Sequence, residues 1–350
     1  MHIYDLDTPA IVIDLDVLER NIQGMAAHCA QVGIPLRVHT KTHKIPEIAR
    51  MQLAAGAIGI VSQKATAAEV MARAGIADAL DILIPYNIVG LPKVRRLLEL
   101  TRWATVTVAV DSEETALGIS QQAQREGYTV RTIVELDTGA KRCGVQSPSA
   151  ALALAERVAG LPGLSLQGIM TYPSSLGVKP FLQETVELFH RAGLPCTMIS
   201  GGGTGAEAIS QEIGCTETRS GSYAYEGMTR ISGSKDLSPE RCPVRVVVTV
   251  VSTPTPDRII IDGGQETFTS YPPKPYGLII EQPQARINGM SVEHGHVDVS
   301  QCAHRFQVGE KLSVIPLHAE MTSNLHDEVV VARQGQVEGV WSLRGRGRVR

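Results

Sequence analysis

The stretch Leu36-Arg37-Val38-His39-Thr40-Lys41-Thr42-His43-Lys44 places a lysine where it can do chemistry. Apolar Leu36 and Val38 alternate with polar Arg37 and His39, the pattern of a short strand, and Pro46 suits the start of a following helix. Lys41 then falls at the strand's C-terminal end, where a side chain can face a pocket. A lysine amine condenses with an aldehyde to a Schiff base, and the cationic neighbours Arg37, His39, His43 and Lys44 would lower its pKa and favour the neutral nucleophile. Taken alone, the segment also reads as a solvated basic strand end.

Two further loops carry chemistry. In Asp137-x-Gly-x-x-Arg142-x-Gly144, Arg142 is either a solvated strand-end charge or a planar fork for the phenolic oxygen of a bound aromatic cofactor, and the loop setting favours the fork. In Ser200-Gly-Gly-Gly-Thr-Gly205, backbone N–H groups between a strand and the helix Glu207–Glu212 can converge on an anion such as phosphate. Glycines that merely make a tight turn are the alternative. The same run satisfies a GxGxxA dinucleotide pattern with Glu226 downstream, but it opens the seventh unit of the chain rather than the first, which argues against a nicotinamide cofactor.

The elements that position these loops alternate. Strand patterns fall at 36–40, 58–61, 81–84, 105–110, 131–136, 165–170, 196–199 and 216–219, with helical patterns between them closed by Gly56, Gly75, Gly127, Gly160 and Gly193. Eight such units predict a (β/α)8 TIM barrel, whose loops at the strand C-termini would form the site. After residue 228 the pattern changes to short strands at 244–251, 258–262, 277–280, 311–316, 329–333 and 336–342. The expected domains are therefore 1–228, an α/β barrel, and 229–350, an all-β domain.

Composition narrows the class. The 350 residues are 43% apolar with a net charge of −3, which gives nucleic acid no general footing, and the arginine-rich end from Arg344 reads as solvated. No apolar run is long enough to span a membrane, and the acidic N-terminus does not read as a secretory signal. The six cysteines lack any CxxC pair, so a disulfide framework and a zinc knot are both disfavoured and a reducing cytoplasm is expected.

Taken together, the lysine, arginine and glycine loops resemble the fold-type III pyridoxal-phosphate enzymes, which join an alanine-racemase-type barrel to a β domain, and within them the D-threonine aldolase and D-serine dehydratase family. The likeness continues through Asp7-Thr8-Pro9-Ala10, Gln63-Lys64 with Glu69, Asp81-Ile82-Leu83-Ile84, Gly221-Ser222-Tyr223, Glu293-His294-Gly295 and Pro316-Leu-His318-Ala-Glu320 with Asn324. It implies that Lys41 holds pyridoxal 5'-phosphate and acts in catalysis with Tyr172. Gln63, Arg142, Tyr172 and Ser200 would contact the cofactor, Arg142 at its ring oxygen, while Gly202, Gly203, Thr204, Gly205, Ser222 and Tyr223 would hold its phosphate.

The resemblance also implies a divalent metal on His318 and Glu320, beside the substrate's β-hydroxyl. Strand alternation would put those two residues on one face. Glu320 stands where the dehydratases carry cysteine and the aldolases aspartate, and a carboxylate favours Mn²⁺ or Mg²⁺ over Zn²⁺. A second departure is Tyr172-Pro173-Ser174-Ser175, where relatives follow the tyrosine with a Gly-His pair. The implied activity is cleavage of a D-configured β-hydroxy-α-amino acid to glycine and an aldehyde, by a homodimer in which the β domain of one subunit closes the barrel mouth of the other. Dehydration of a D-serine or D-3-hydroxyaspartate type substrate, racemisation, and cofactor binding without turnover are the alternatives.

Overall fold

The computed structural model describes residues 1–233 and 238–350 and groups them into two compact units. The barrel unit comprises Gln23–Lys41, Pro46–Gly221 and Arg348–Arg350; the β unit comprises Met1–Ile22, Thr42–Ile45 and Ser222–Gly347. The first strand, β1 (Ala10–Asp14), lies in the β unit, although its position in the chain puts it within the 1–228 segment expected to form the barrel. Its partners explain this: β1 pairs antiparallel with β10 (Val244–Thr255) and parallel with β16 (Glu328–Arg333).

The barrel is built from β2 (Arg37–His39), β3 (Gly59–Val61), β4 (Asp81–Ile84), β5 (Thr105–Val110), β6 (Val130–Asp137), β7 (Leu164–Tyr172), β8 (Met198–Gly201) and β9 (Glu217–Thr218). Each pairs in parallel with the next, and a bridge between Leu36 and Thr218 closes the ring. All eight strand patterns legible in the sequence are present, with boundaries shifted by at most two residues. Helices alternate with the strands, and their ends follow local rules. Ser112 and Ser147 each accept a hydrogen bond from the backbone three residues on, while Gly127 ends its helix in the left-handed conformation at φ 73°.

Inward-facing side chains fill the barrel in layers, as period-two alternation requires. At the strand N-termini lies a polar layer: the Arg37 guanidinium grips both oxygens of Glu217 at 2.9 Å and Asp81 at 2.7 Å, and Arg131 takes the other Asp81 oxygen at 3.1 Å. Glycine is needed at position 59, because a Cβ there would lie 2.6 Å from the Asp81 backbone carbonyl oxygen. Above this layer Val61, Leu83, Ala109, Ile133, Met170 and Met198 contribute one apolar side chain from each of β3 to β8. The barrel interior is thus filled by side chains, and the loops at the other rim are left for chemistry.

The β unit adds β11 (Arg258–Ile261), β12 (Gly277–Ile279), β13 (Arg286–Met290), β14 (Gly295–Asp298), β15 (Lys311–Pro316) and β17 (Gln336–Ser342). Its strands run in the order β11-β14-β13-β12-β15-β10-β1-β16-β17, and β10 also pairs with β11, closing part of the sheet on itself. Strands β13 and β14 lie outside the expected set because they are short, polar and broken by glycine. The arginine-rich end is more ordered than its composition suggests: the Arg350 carbonyl accepts hydrogen bonds from the Thr66 amide and hydroxyl at 2.9 and 2.6 Å. Among the described residues, no helix is long and apolar enough to cross a membrane.

Candidate active site

In a parallel barrel every strand delivers its C-terminal residue to the same rim, so Lys41, Gln63, Arg142, Tyr172 and the 202–205 loop are brought to one mouth by topology alone. Lys41 follows β2 and its side chain is exposed. Beneath it, His39 is oriented by its neighbours. Nδ1 accepts from the Lys41 amide at 3.4 Å, so Nε2 carries the proton and donates to Gln63 Oε1 at 3.2 Å. The Gln63 amide group donates onward to the Pro85 carbonyl at 3.1 Å. Gln63 therefore spends its amide on holding the lysine-bearing strand end.

The motif around Arg142 has a physical reading. Asp137, last in β6, accepts from the amides of Gly139 and Lys141 at 3.0 and 3.1 Å, and the Gly139 hydrogen bond foremost holds its carboxyl below the ordinary range. Gly144 adopts φ +110°, and a Cβ there would sit 2.4 Å from the Asp137 amide, so only glycine lets the loop return. The loop so formed presents Arg142. Its guanidinium stands 3.7 Å from the buried Glu135 carboxylate and 5.3 Å from the centroid of the Tyr172 ring. Tyr172 itself is 40% exposed at the rim.

Behind the rim lies a residue that the sequence reading passed over. Arg219, buried, donates to Ser200 Oγ at 2.8 Å and to the Thr171 carbonyl at 2.7 Å, and Ser200 in turn donates to Glu217 at 2.6 Å. Burial pushes the guanidinium's pKa down, and the carboxylates of Glu217 and Glu135 work against that shift. The signal was present: Glu217 and Arg219 are charged residues at period two inside a strand pattern. Ser200 is thus a buried spacer between Glu217 and Arg219, and its hydroxyl is committed to protein groups.

The glycine loop is partly self-satisfied. The Gly202 amide donates to Ser174 Oγ at 2.8 Å, and the Gly205 amide donates to both oxygens of Glu207 at 3.0 Å. The Gly203 amide makes no hydrogen bond among the described residues. Gly203 and Gly205 have φ of +118° and +93°; a Cβ at Gly203 would meet the Tyr172 ring at 3.4 Å and one at Gly205 nothing within 4 Å. The loop therefore has open space at Gly205 and the Tyr172 ring against Gly203, and a backbone of this kind fits a small anion held by amides.

The remaining sequence candidates lie in the β unit. Ser222 and Tyr223 begin the short 3-10 turn Ser222–Ala224. His318 and Glu320 do not alternate on a strand: β15 ends at Pro316, His318 caps the helix Ala319–Ser323, and Glu320 lies in its first turn. The strand-face argument for pairing them fails because the chain turns into a helix. His318 Nε2 lies 3.2 Å from the Pro272 carbonyl, and its ring packs edge-on to Tyr271 at 5.3 Å. Among the described residues, no group of three or more His, Cys, Asp or Glu side chains is gathered for a metal.

A closed eight-stranded parallel barrel with a lysine after its first strand and a glycine loop after its seventh, joined in one chain to a β unit, defines the alanine-racemase-type class. The family model for the alanine racemase N-terminal domain matches residues 13–228, and one described as a putative serine dehydratase domain matches 243–332. The chain is 35% identical to a D-threonine aldolase from an Arthrobacter species, over 98% of this chain and 93% of that one. It is 31% identical to a 3-hydroxy-D-aspartate aldolase from Paracoccus denitrificans, with the same coverage of both chains. Its fold superposes on the crystal structure of D-threonine aldolase from Filomicrobium marinum with a TM-score of 0.90, at 29% identity over 99% of this chain and 98% of that one. The chain belongs to the D-threonine aldolase-like family of fold-type III enzymes, which are lyases that use pyridoxal phosphate.

Proposed function

We propose that this chain is a pyridoxal-phosphate-dependent lyase that cleaves a D-configured β-hydroxy-α-amino acid to glycine and an aldehyde. The observation that carries the reading is the convergence on one barrel rim of an exposed lysine, an arginine held against an exposed tyrosine, and an open glycine loop. Lys41 would hold the cofactor's aldehyde carbon, the open side of the 203–205 loop its phosphate, and Arg142 its ring oxygen. When bound, the cofactor supplies an electron sink for the pair left on the substrate's α-carbon.

The chain's own groups do the rest. His39 and Gln63 fix the backbone that carries Lys41. The Arg142 guanidinium holds the Tyr172 ring at the mouth, where its phenol can exchange a proton with the substrate hydroxyl. Arg219 and Ser200 form a buried polar floor that cannot shift without breaking their bonds to Thr171 and Glu217. His318 and Glu320, at the start of the helix Ala319–Ser323, would supply one nitrogen and one carboxylate to a hard divalent ion otherwise completed by water. The metal would supply positive charge to a hydroxyl oxygen.

The test is a product assay on D- and L-β-hydroxy amino acids, with and without Mn²⁺. Glycine and aldehyde from the D-series alone are expected. Keto acid and ammonia would instead identify a dehydratase, and inversion without cleavage a racemase.

A further inference from the structure

We propose that Glu207 is a positioning residue that fixes the glycine-rich loop in the shape that receives a phosphate, by tying that loop to the segment carrying Lys41. The inference rests on the cofactor reading above. Glu207 is 3% exposed, and its carboxylate accepts from the Gly205 amide through both oxygens at 3.0 Å and from Ser220 Oγ at 2.6 Å. His28, half exposed, brings Nε2 to 3.8 Å. The tie continues past Ser220, whose carbonyl accepts from the His39 amide at 2.9 Å, two residues before Lys41. A second strut runs parallel to it: the Gly221 amide donates to Thr204 Oγ1 at 3.1 Å. Loop, residues 220–221 and the lysine strand thus form one hydrogen-bonded chain.

A carboxylate is a costly choice here. Burying a negative charge is unfavourable without donors, and an anion bound at the same loop adds repulsion. A residue that merely filled space would be better uncharged. What the carboxylate gives is two acceptor oxygens that take an amide and a hydroxyl together, at a glycine whose φ of +93° offers no rigidity of its own. Gln can keep much of this arrangement, its carbonyl accepting from Gly205 while its amide group faces the Ser220 oxygen. Ala keeps none of it.

The experiment compares two ligands that differ only in the phosphate. The full chain, first freed of bound cofactor, is dialysed against graded concentrations of pyridoxal phosphate or of pyridoxal, and the visible absorbance of the lysine adduct is read. For Glu207→Ala, the half-saturating concentration of pyridoxal phosphate should rise about tenfold while that of pyridoxal stays within about twofold, the loss of roughly one hydrogen-bonded anchor. Glu207→Gln should stay within about threefold of wild type for both. If Glu207→Ala does not fold, Ser220→Ala carries the same comparison, with a rise of about threefold for the phosphorylated ligand alone. Equal weakening for both ligands, or no change for either, overturns the inference. A wild-type protein that forms no adduct with pyridoxal phosphate overturns the cofactor reading itself, and that result is separable because it precedes any variant.

Discussion

The guanidinium of Arg142 stands 3.7 Å from the buried carboxylate of Glu135, and it does not fully offset the cost of that burial. Desolvation pushes the Glu135 pKa up, with Arg142 and Arg219 pulling it down by less. A raised carboxyl pKa means that the folded state binds the proton more tightly than the unfolded chain does. The associated stability is present below the ordinary carboxylate range and is lost as pH rises through the raised value. Glu135→Gln should therefore melt close to wild type near pH 4 and gain on it by about 2–4 °C by pH 8. Melting curves of the two proteins across that range test this, and parallel pH profiles would contradict it.

Lys41 should be the lysine that carries the cofactor. Its neighbour Lys44 is the natural competitor, because burial lowers its pKa, but its amine is committed to Asn324 Oδ1 at 2.5 Å in the β unit. Lys64 lies over the Tyr86 ring, 3.6 Å from its centroid. Borohydride reduction and peptide mapping should place the label on Lys41. Lys41→Arg should lose activity by about three orders of magnitude or more, since an always-protonated guanidinium cannot replace the amine. A label on Lys44 or Lys64 would remove the basis of the site.

Much of this was legible in the sequence because barrel strands announce themselves. Each is a short apolar run bounded by turn residues, and the rim loops follow at fixed offsets. The glycines at 139 and 144 and the acid at 137 could be read as a loop, and the structure supplies the reason they are needed. What escaped was non-local. No local pattern says that β1 pairs with β10 and β16, more than 230 residues away, instead of joining the barrel beside it in sequence. Nor does one reveal that Ser200 would be consumed between Glu217 and Arg219, since a serine before glycines looks the same whether it faces a ligand or a neighbour. The turn into a helix after His318 was hidden by the apolar run of β15.

A homodimer is proposed from the family architecture. The β unit exposes Tyr271, Met321 and Leu325, large apolar side chains that a partner could cover. Sedimentation at micromolar concentration should give twice the chain mass. An active monomer would contradict the proposal.

The metal prediction turns on Glu320. His318 and Glu320 offer at most one nitrogen and one carboxylate, and with His318 Nε2 3.2 Å from the Pro272 carbonyl it is Nδ1 that can bind an ion without breaking that contact. A site with two protein ligands leaves the remaining positions to water, so it should be weak and easily stripped. Chelator should therefore abolish cleavage while the visible absorbance of the lysine adduct persists, because the residues proposed to hold the cofactor are Lys41, Arg142 and the glycine loop. Mn²⁺ or Mg²⁺ should restore turnover, and Zn²⁺ should do so poorly, since no thiolate stands at position 320. Glu320→Asp should retain most activity and Glu320→Ala should lose at least about tenfold, a deficit that excess Mn²⁺ repairs only in part. Full activity in chelator, or an unaffected Glu320→Ala variant, would show that this chain cleaves its substrate without a metal on these residues.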